Sequence, residues 1–264
     1  MRMTDPSDAP LFKLFWQNGE LNPTRAALLG RRIAADAVRP SGTPAPRHGE
    51  AAQPLPDAPA DEARRLARRE SSRRFGAAPV ALEELGRLLH PLRAHVGQQN
   101  RLLPSGGGKY PLHVYVALRH VGMPSPWQGR IAWYDSASHG LVPVGNCPAW
   151  PALADILGVD WPEPPAAVVF MIGRPETILA KYGERGGRFL LIEAGVYLGA
   201  LGQQAADMGW SGCAIGSFHD QAVLGLLELD ASRHLAVLAY ACGPRDAVSG
   251  LDADLGAVAA PAGG

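Results

Sequence analysis

The sequence predicts an α+β domain with helices packed against a mostly antiparallel central sheet. Three observations carry this. Residues 61–89 read as two helices, and strand-like stretches begin only after residue 110. The stretches 113–119 and 131–134 are short, apolar and briefly connected, for which antiparallel pairing is the simplest arrangement. The run AAVVFMI at 166–172, bounded by Pro165 and Gly173, reads as a central strand, followed by a long helix and a last strand. That order lacks the strict βαβ alternation of a doubly wound fold.

Taken in order, residues 11–16 form a short apolar patch, and LNPTRAALLGRRIAADAV is a helix opened by Asn22 as cap and Pro23 in the first turn. Residues 39–60 are rich in proline, alanine and glycine, without periodicity, as in a linker or surface wrap. DEARRLARRESSRRF reads as a charged helix running to Phe75–Gly76, and Leu82, Leu85, Leu88 and Leu89 form one stripe of the next helix. A turn is expected through Gly122-Met123-Pro124 and a hairpin turn over 135–140, with Leu141-Val142 beginning the return strand. ALADILGV is a short helical candidate. The helix after residue 188 is apolar around much of its circumference, with Gly209 as C-cap. WSGCAIGSFHD precedes a helix closing at Asp230, and HLAVLAYAC is the last strand. The expected organisation is an N-terminal arm and linker (1–60), one domain (61–246) and a flexible tail (247–264).

The composition narrows the function. The 264 residues allow one large domain or two small ones. A net charge of zero gives no reason to expect nucleic acid or an anionic membrane as partner. Cys147, Cys213 and Cys242 have no metal-ligand spacing, and the histidines form no metal set. No stretch reaches the roughly 18 apolar residues of a membrane span. The N-terminus has no apolar signal core, so a cytoplasmic location is the default expectation.

The stretch most suggestive of chemistry is LLPSGGGKYPLHVYVAL, Leu102 to Leu118. Proline, serine and three glycines stand directly before a strand, so bare backbone and a hydroxyl are aimed by a rigid element. Glycine there costs entropy, and close approach to a flat or charged ligand would justify it. Because the loop precedes a strand, it fits neither the dinucleotide fingerprint nor the P-loop. Arg64, Arg65, Arg68, Arg69, Arg73 and Arg74 are either a solvated face or a phosphate clamp, since arginine matches phosphate oxygens bidentately.

Four stretches carry a resemblance. They are Arg69-Glu70-Ser71-Ser72-Arg73-Arg74-Phe75; Arg101 to Pro111, containing Pro104-Ser105-Gly106-Gly107-Gly108; Lys181-Tyr182-Gly183-Glu184-Arg185-Gly186; and Ile215-Gly216-Ser217-Phe218 with Gly243-Pro244-Arg245. In this order and spacing, over roughly residues 66–246, they resemble the flavin-dependent nitroreductase superfamily. More narrowly, Lys181-Tyr182 and the glycine loop resemble the azoline dehydrogenases, which oxidise thiazolines and oxazolines in ribosomal peptides. Two departures stand out. Gly199-Ala200 replaces the family's usual Gln-Asn pair, and the N-terminal portion has no match.

The resemblance implies a nitroreductase-like fold, a homodimer with FMN at the subunit interface, and a modified precursor peptide as substrate beside a cyclodehydratase. Arg69, Ser71 and Arg73 would approach the FMN phosphate from one helix start, with Arg245 opposite. Arg73 and Arg74, being adjacent, are not both expected to face one phosphate. Pro104, Ser105, Gly106 and Gly107 would contact one ring edge, and Ile215, Gly216 and Ser217 would surround the ring. Lys181 would act as a base if desolvated, and Tyr182 would relay or position a proton. Alternatively, Lys181 pairs with Glu184 or Glu193 and Tyr182 packs beneath the cofactor. An NAD(P)H-dependent nitro or quinone reductase, and a non-catalytic scaffold subunit, stand beside the dehydrogenase reading.

Overall fold

The computed structural model describes residues 8–36, 53–95, 100–122 and 127–246. Six strands make one sheet: β1 (Leu112–Leu118), β2 (Arg130–Asp135), β3 (Gly140–Asn146), β4 (Ala167–Gly173), β5 (Trp210–Ile215) and β6 (Leu235–Pro244). Their order is β3-β2-β1-β4-β6-β5, and every adjacent pair is antiparallel. The helices are α1 (Pro10–Gly19), α2 (Pro23–Asp36), α3 (Ala60–Ala67), α4 (Leu82–Leu89), α5 (Trp150–Leu157), α6 (Glu176–Tyr182), α7 (Glu184–Asp207) and α8 (Asp220–Leu226).

The apolar run at β4 is continuous because helices cover both faces of the sheet. Val169 and Met171 enter one core with Val114, Val116 and the α7 residues Leu190, Tyr197 and Leu201. Val168, Phe170 and Ile172 point the other way, into a core with Leu153 and Leu157 of α5 and Val223 and Leu224 of α8. Alternation along β4 thus divides its side chains between two layers. α7 lies along the first layer and is the beam on which the candidate site is mounted.

The structure corrects two expectations and adds two elements. The helix expected to run to Phe75 stops at Ala67. Beyond it the Ser72 N–H bonds to the Gly212 carbonyl (3.0 Å) and the Gly76 N–H to the Pro244 carbonyl (2.8 Å), so tertiary partners take the amides a helix would use. Arg69, Ser71 and Arg73 therefore come from an extended strap, not a helix start. WSGCAI, which the sequence left unassigned, forms the edge strand β5. The helix expected to close at Asp230 ends at Leu226, with Glu228 turning through a left-handed φ of 56°. Residues 10–19 form a helix of their own. Asn22 caps α2 as expected, its Oδ1 accepting the Arg25 N–H at 3.0 Å, and Gly209 sits just past α7 with φ 73°. The linker residues 37–52, the expected turn at 123–126 and the tail 247–264 lie outside the described residues.

The arm from Ala9 to Leu21 is pinned at both ends by carboxylates. Glu184 accepts the Leu11 and Phe12 N–H groups at 3.0 and 2.7 Å, and Asp220 accepts the Leu21 N–H at 2.7 Å. An acid at the start of α1 also complements its dipole. Glu184 thus caps another helix. Between these pins, the Phe12 ring occupies the space a side chain at Gly187 would need.

Candidate functional site

Two groups of sequence-predicted residues assemble at separate points along α7. The first is the strap. Arg69 lies across α7, its Cγ and Cδ reaching to within 3.9 Å of where a Cβ on Gly202 would be, close to the Tyr240 hydroxyl. Arg69, Ser71 and Arg73 are exposed, and neither arginine makes an ion pair among the described residues. Arg245 is tied to the same strap: Nη1 meets Glu70 at 2.9 Å and Nη2 donates to the Arg68 carbonyl at 3.0 Å. Arg69 and Arg73 thus stand exposed on the strap, and Arg245, tied to the strap, already carries an acidic partner.

The second group is the glycine loop on the α6–α7 junction. Gly107 and Gly108 adopt φ of 62° and 67°, the left-handed region that glycine enters without steric cost. A Cβ on Gly106 would stand 3.0 Å from Phe189 Cβ, and one on Gly107 would collide with the Tyr182 hydroxyl and stand 2.6 Å from Lys181 Nζ. At Gly107 the left-handed backbone favours glycine, and the bare backbone lets the Lys181 and Tyr182 side-chain tips lie against it. Lys181 Nζ lies 3.5 Å from the Gly107 carbonyl and 5.1 Å from the Tyr182 ring centroid. Tyr182 stands edge-on to Phe189, with centroids 5.0 Å apart. Lys181 pairs with neither Glu184 nor Glu193 among the described ion pairs. It is exposed, so this chain does not provide the apolar surroundings that the base role calls for.

Tyr110, Arg101 and Tyr197, to which sequence reasoning gave no role, hold the loop together with Ser105. The Ser105 Oγ accepts the Tyr110 N–H at 2.7 Å, and Tyr110 Oη accepts the Arg101 N–H at 2.9 Å. These bonds hold Tyr110 at φ 46°, costly for a residue with a side chain. Arg101 covers the Tyr110 ring at 4.7 Å and donates to Tyr197 Oη at 3.0 Å. Beneath them lies Glu193, 2 % exposed, with no hydrogen-bond partner for either carboxylate oxygen. Ser105, Tyr197 and the Gly106 N–H are close enough to draw its pKa down without meeting hydrogen-bond geometry, and burial outweighs them, raising it. The sequence did hold a signal. Glu193 falls on the stripe Leu190, Ala194, Tyr197 and Leu201, where an acid is out of place.

Stability should record this buried acid. Its folded-state pKa lies above the unfolded value, so between the two the native chain holds a proton that the unfolded chain has released. Stability is then highest below the unfolded carboxylate range and declines as pH rises through the folded pKa. E193Q removes that decline. Thermal unfolding from pH 4 to 8 should show the variant gaining on the parent as pH rises. A constant difference across that range would show that Glu193 does not titrate as described.

The third predicted stretch is split. Ile215 is buried at the end of β5, and Gly216 is exposed with nothing near a would-be Cβ. Ser217 donates to the Leu157 and Gly158 carbonyls at 3.1 and 3.2 Å, so its hydroxyl closes α5. All three cysteines are buried, and burial raises the Cys147 pKa and pushes Cys242 up to about 12, which argues against thiolate chemistry. No group of three or more potential metal ligands occurs among the described residues. A cavity of about 530 Å³ between α1 and the start of α6, lined by Phe12, Trp16, Glu176 and Arg233, contains none of the predicted site residues. No described helix is long and apolar enough to cross a membrane.

Arg69 meets α7 at Gly202 and Gly106 meets it at Phe189, thirteen residues away, or about 20 Å of helix. Within one chain the strap and the loop do not touch.

Comparison with known proteins identifies the family and the fold. The model of the nitroreductase family matches residues 66–243. A curated protein of Methanocaldococcus jannaschii that carries the name nitroreductase is 26% identical over 171 residues, covering 62% of this chain and 82% of its own. A solved structure from Ralstonia eutropha, also named for the nitroreductases, superposes with a TM-score of 0.59 at 20% identity, over 73% of this chain and 88% of that one. A chain of the E. coli microcin synthetase McbBCD complex, solved with truncated pro-MccB17 bound, superposes with a TM-score of 0.62 at 18% identity, over 87% and 96%. At these identities the structural likeness concerns the fold.

Proposed function

The chain belongs to the nitroreductase family, and from that premise we propose that it is an FMN-dependent oxidoreductase acting as a homodimer. The observation that carries this is the pair of half-sites on α7. One offers Arg69 and Arg73 to a phosphate. The other offers the bare backbone of Gly106 and Gly107, packed against side chains of α6 and α7. Both halves suit a flavin, at opposite ends of the molecule. Their separation within one chain favours a site completed by a second copy. Ser71 and Arg245 would assist at the phosphate, Pro104 and Ser105 at the ring edge, and Ile215, Gly216 and Ser217 around the ring. Arg245 would exchange Glu70 for phosphate, and Ser217 would act through its backbone because its hydroxyl is committed.

Bound FMN would supply the two-electron redox step. The chain's own residues would position it and manage charge and protons. The simplest member of this class reduces nitro or quinone compounds with NAD(P)H, as the family name suggests. The Lys181–Tyr182 pair held on Gly107 favours a second, narrower reading: oxidation of an azoline to an azole in a precursor peptide made beside a cyclodehydratase. The extensive likeness to the microcin synthetase chain supports the same reading. There the Lys181 ammonium would stabilise negative charge developing at the ring carbon, and Tyr182 Oη would relay the departing proton.

FMN binding tests the main reading. Purified protein is expected to bind FMN and show flavin absorbance, and R69A should weaken binding about 10- to 100-fold by removing a charged phosphate contact. A chain with no affinity for FMN sinks the proposal. Product mass separates the two readings: loss of two hydrogens per ring marks azoline oxidation, whereas NAD(P)H-driven turnover of a nitro compound with intact azolines marks the reductase.

A further inference from the structure

Among the described residues, Glu193 is the only buried carboxylate with both oxygens unpartnered. Leaving a buried acid unpaired costs free energy that a leucine on the same stripe would not. What faces it is the root of the glycine loop. Ser105 Oγ already accepts the Tyr110 N–H, and Tyr197 Oη already accepts a proton of Arg101. Each hydroxyl therefore keeps its own proton to donate, and Glu193 is the acceptor both of them flank. The Gly106 N–H is a third nearby donor. Gly106 packs on Phe189, one helical turn before Glu193, so a small loop movement would change these contacts directly. Arg101 is the cation acting on Glu193 from the loop side, whereas Lys181 reaches the Gly107 carbonyl.

We propose that Glu193 is a positioning residue that latches the glycine loop: its carboxylate takes the Ser105 hydroxyl and the Gly106 N–H as the flavin ring edge is seated. The latch fixes the Gly107 carbonyl under Lys181 and so couples ring binding to the Lys181–Tyr182 pair. This rests on the FMN reading above and adds to it a role for an acid that touches neither phosphate nor ring.

The test is FMN titration combined with hydrogen exchange across residues 102–112, in the parent, E193Q, E193A, E193L and S105A. FMN should protect the loop amides of the parent. E193Q, whose amide oxygen accepts the same two bonds, should bind FMN within about threefold of the parent and keep that protection. E193A should lose about 10-fold or more in affinity and the loop protection with it. S105A should do likewise, but it also removes the Tyr110 N–H bond, so E193L, which fills the space of Glu193 on an apolar stripe and accepts no hydrogen bond, is the deciding variant. The latch requires E193L to behave like E193A, whereas a general loss of packing would be rescued by leucine and glutamine alike. If E193A, E193L or S105A binds FMN like the parent with the same loop protection, the latch is overturned and the FMN reading stands. If the parent itself binds no FMN, both fall.

Discussion

K181A is expected to lower azoline turnover by about 10²- to 10⁴-fold, the usual contribution of one group handling charge or protons in a transition state. Fold and FMN affinity should be nearly unchanged. The lysine is exposed, so no packing is lost, and among the described residues its only hydrogen bond is the 3.5 Å contact to the Gly107 carbonyl. Y182F should fall less steeply. It keeps the ring against Phe189 and removes only the oxygen. Because Lys181 is exposed in the single chain, K181R is informative. A charge-stabilising role tolerates arginine in part, whereas a base role does not, since arginine holds its proton. Single-turnover flavin reduction by peptide substrate separates chemistry from binding. Parent-like reduction rates in both K181A and Y182F would remove these residues from the mechanism and leave the reductase reading.

G186A is expected to destabilise the domain by about 2 kcal/mol or more, although alanine is the better helix former. Propensity favours alanine by about 1 kcal/mol. Against that, a Cβ at 186 would sit 2.6 Å from the Ile178 carbonyl oxygen, 2.9 Å from its carbon and 3.1 Å from the Leu179 nitrogen. These are backbone atoms of α6, which cannot rotate aside as a side-chain tip would. Relief requires prising α6 from α7, and overpacking of this kind costs 1–3 kcal/mol or more before any lost contacts are counted. The displaced helix carries Lys181 and Tyr182, so activity should fall with stability. Gly225 is the control: it lies in α8, exposed, with nothing within 4 Å of a would-be Cβ. G225A should gain roughly 0.5–1 kcal/mol. Denaturant midpoints decide the matter, and a G186A variant as stable as G225A would show that the two helices do not pack this closely.

What the sequence determined by itself was local or periodic. Alternation and apolar runs marked β1, β2, β4 and β6, because a buried strand reports its own faces. Asn22-Pro23 and Gly209 marked helix ends, because caps act over a few residues. The glycine loop and Lys181-Tyr182 were visible as motifs. Only the tertiary structure decided the rest. Residues 68–76 have helical composition, yet they are extended because Gly212 and Pro244, more than a hundred residues away, offer carbonyls to their amides. Trp210–Ile215 is a strand because β6 pairs with it. In the sequence Glu193 stood only as a candidate ion-pair partner of Lys181. Its importance appears only where the loop from residue 105 lies over it, since burial, and the lack of a partner there, belong to the packed chain and not to any segment of it.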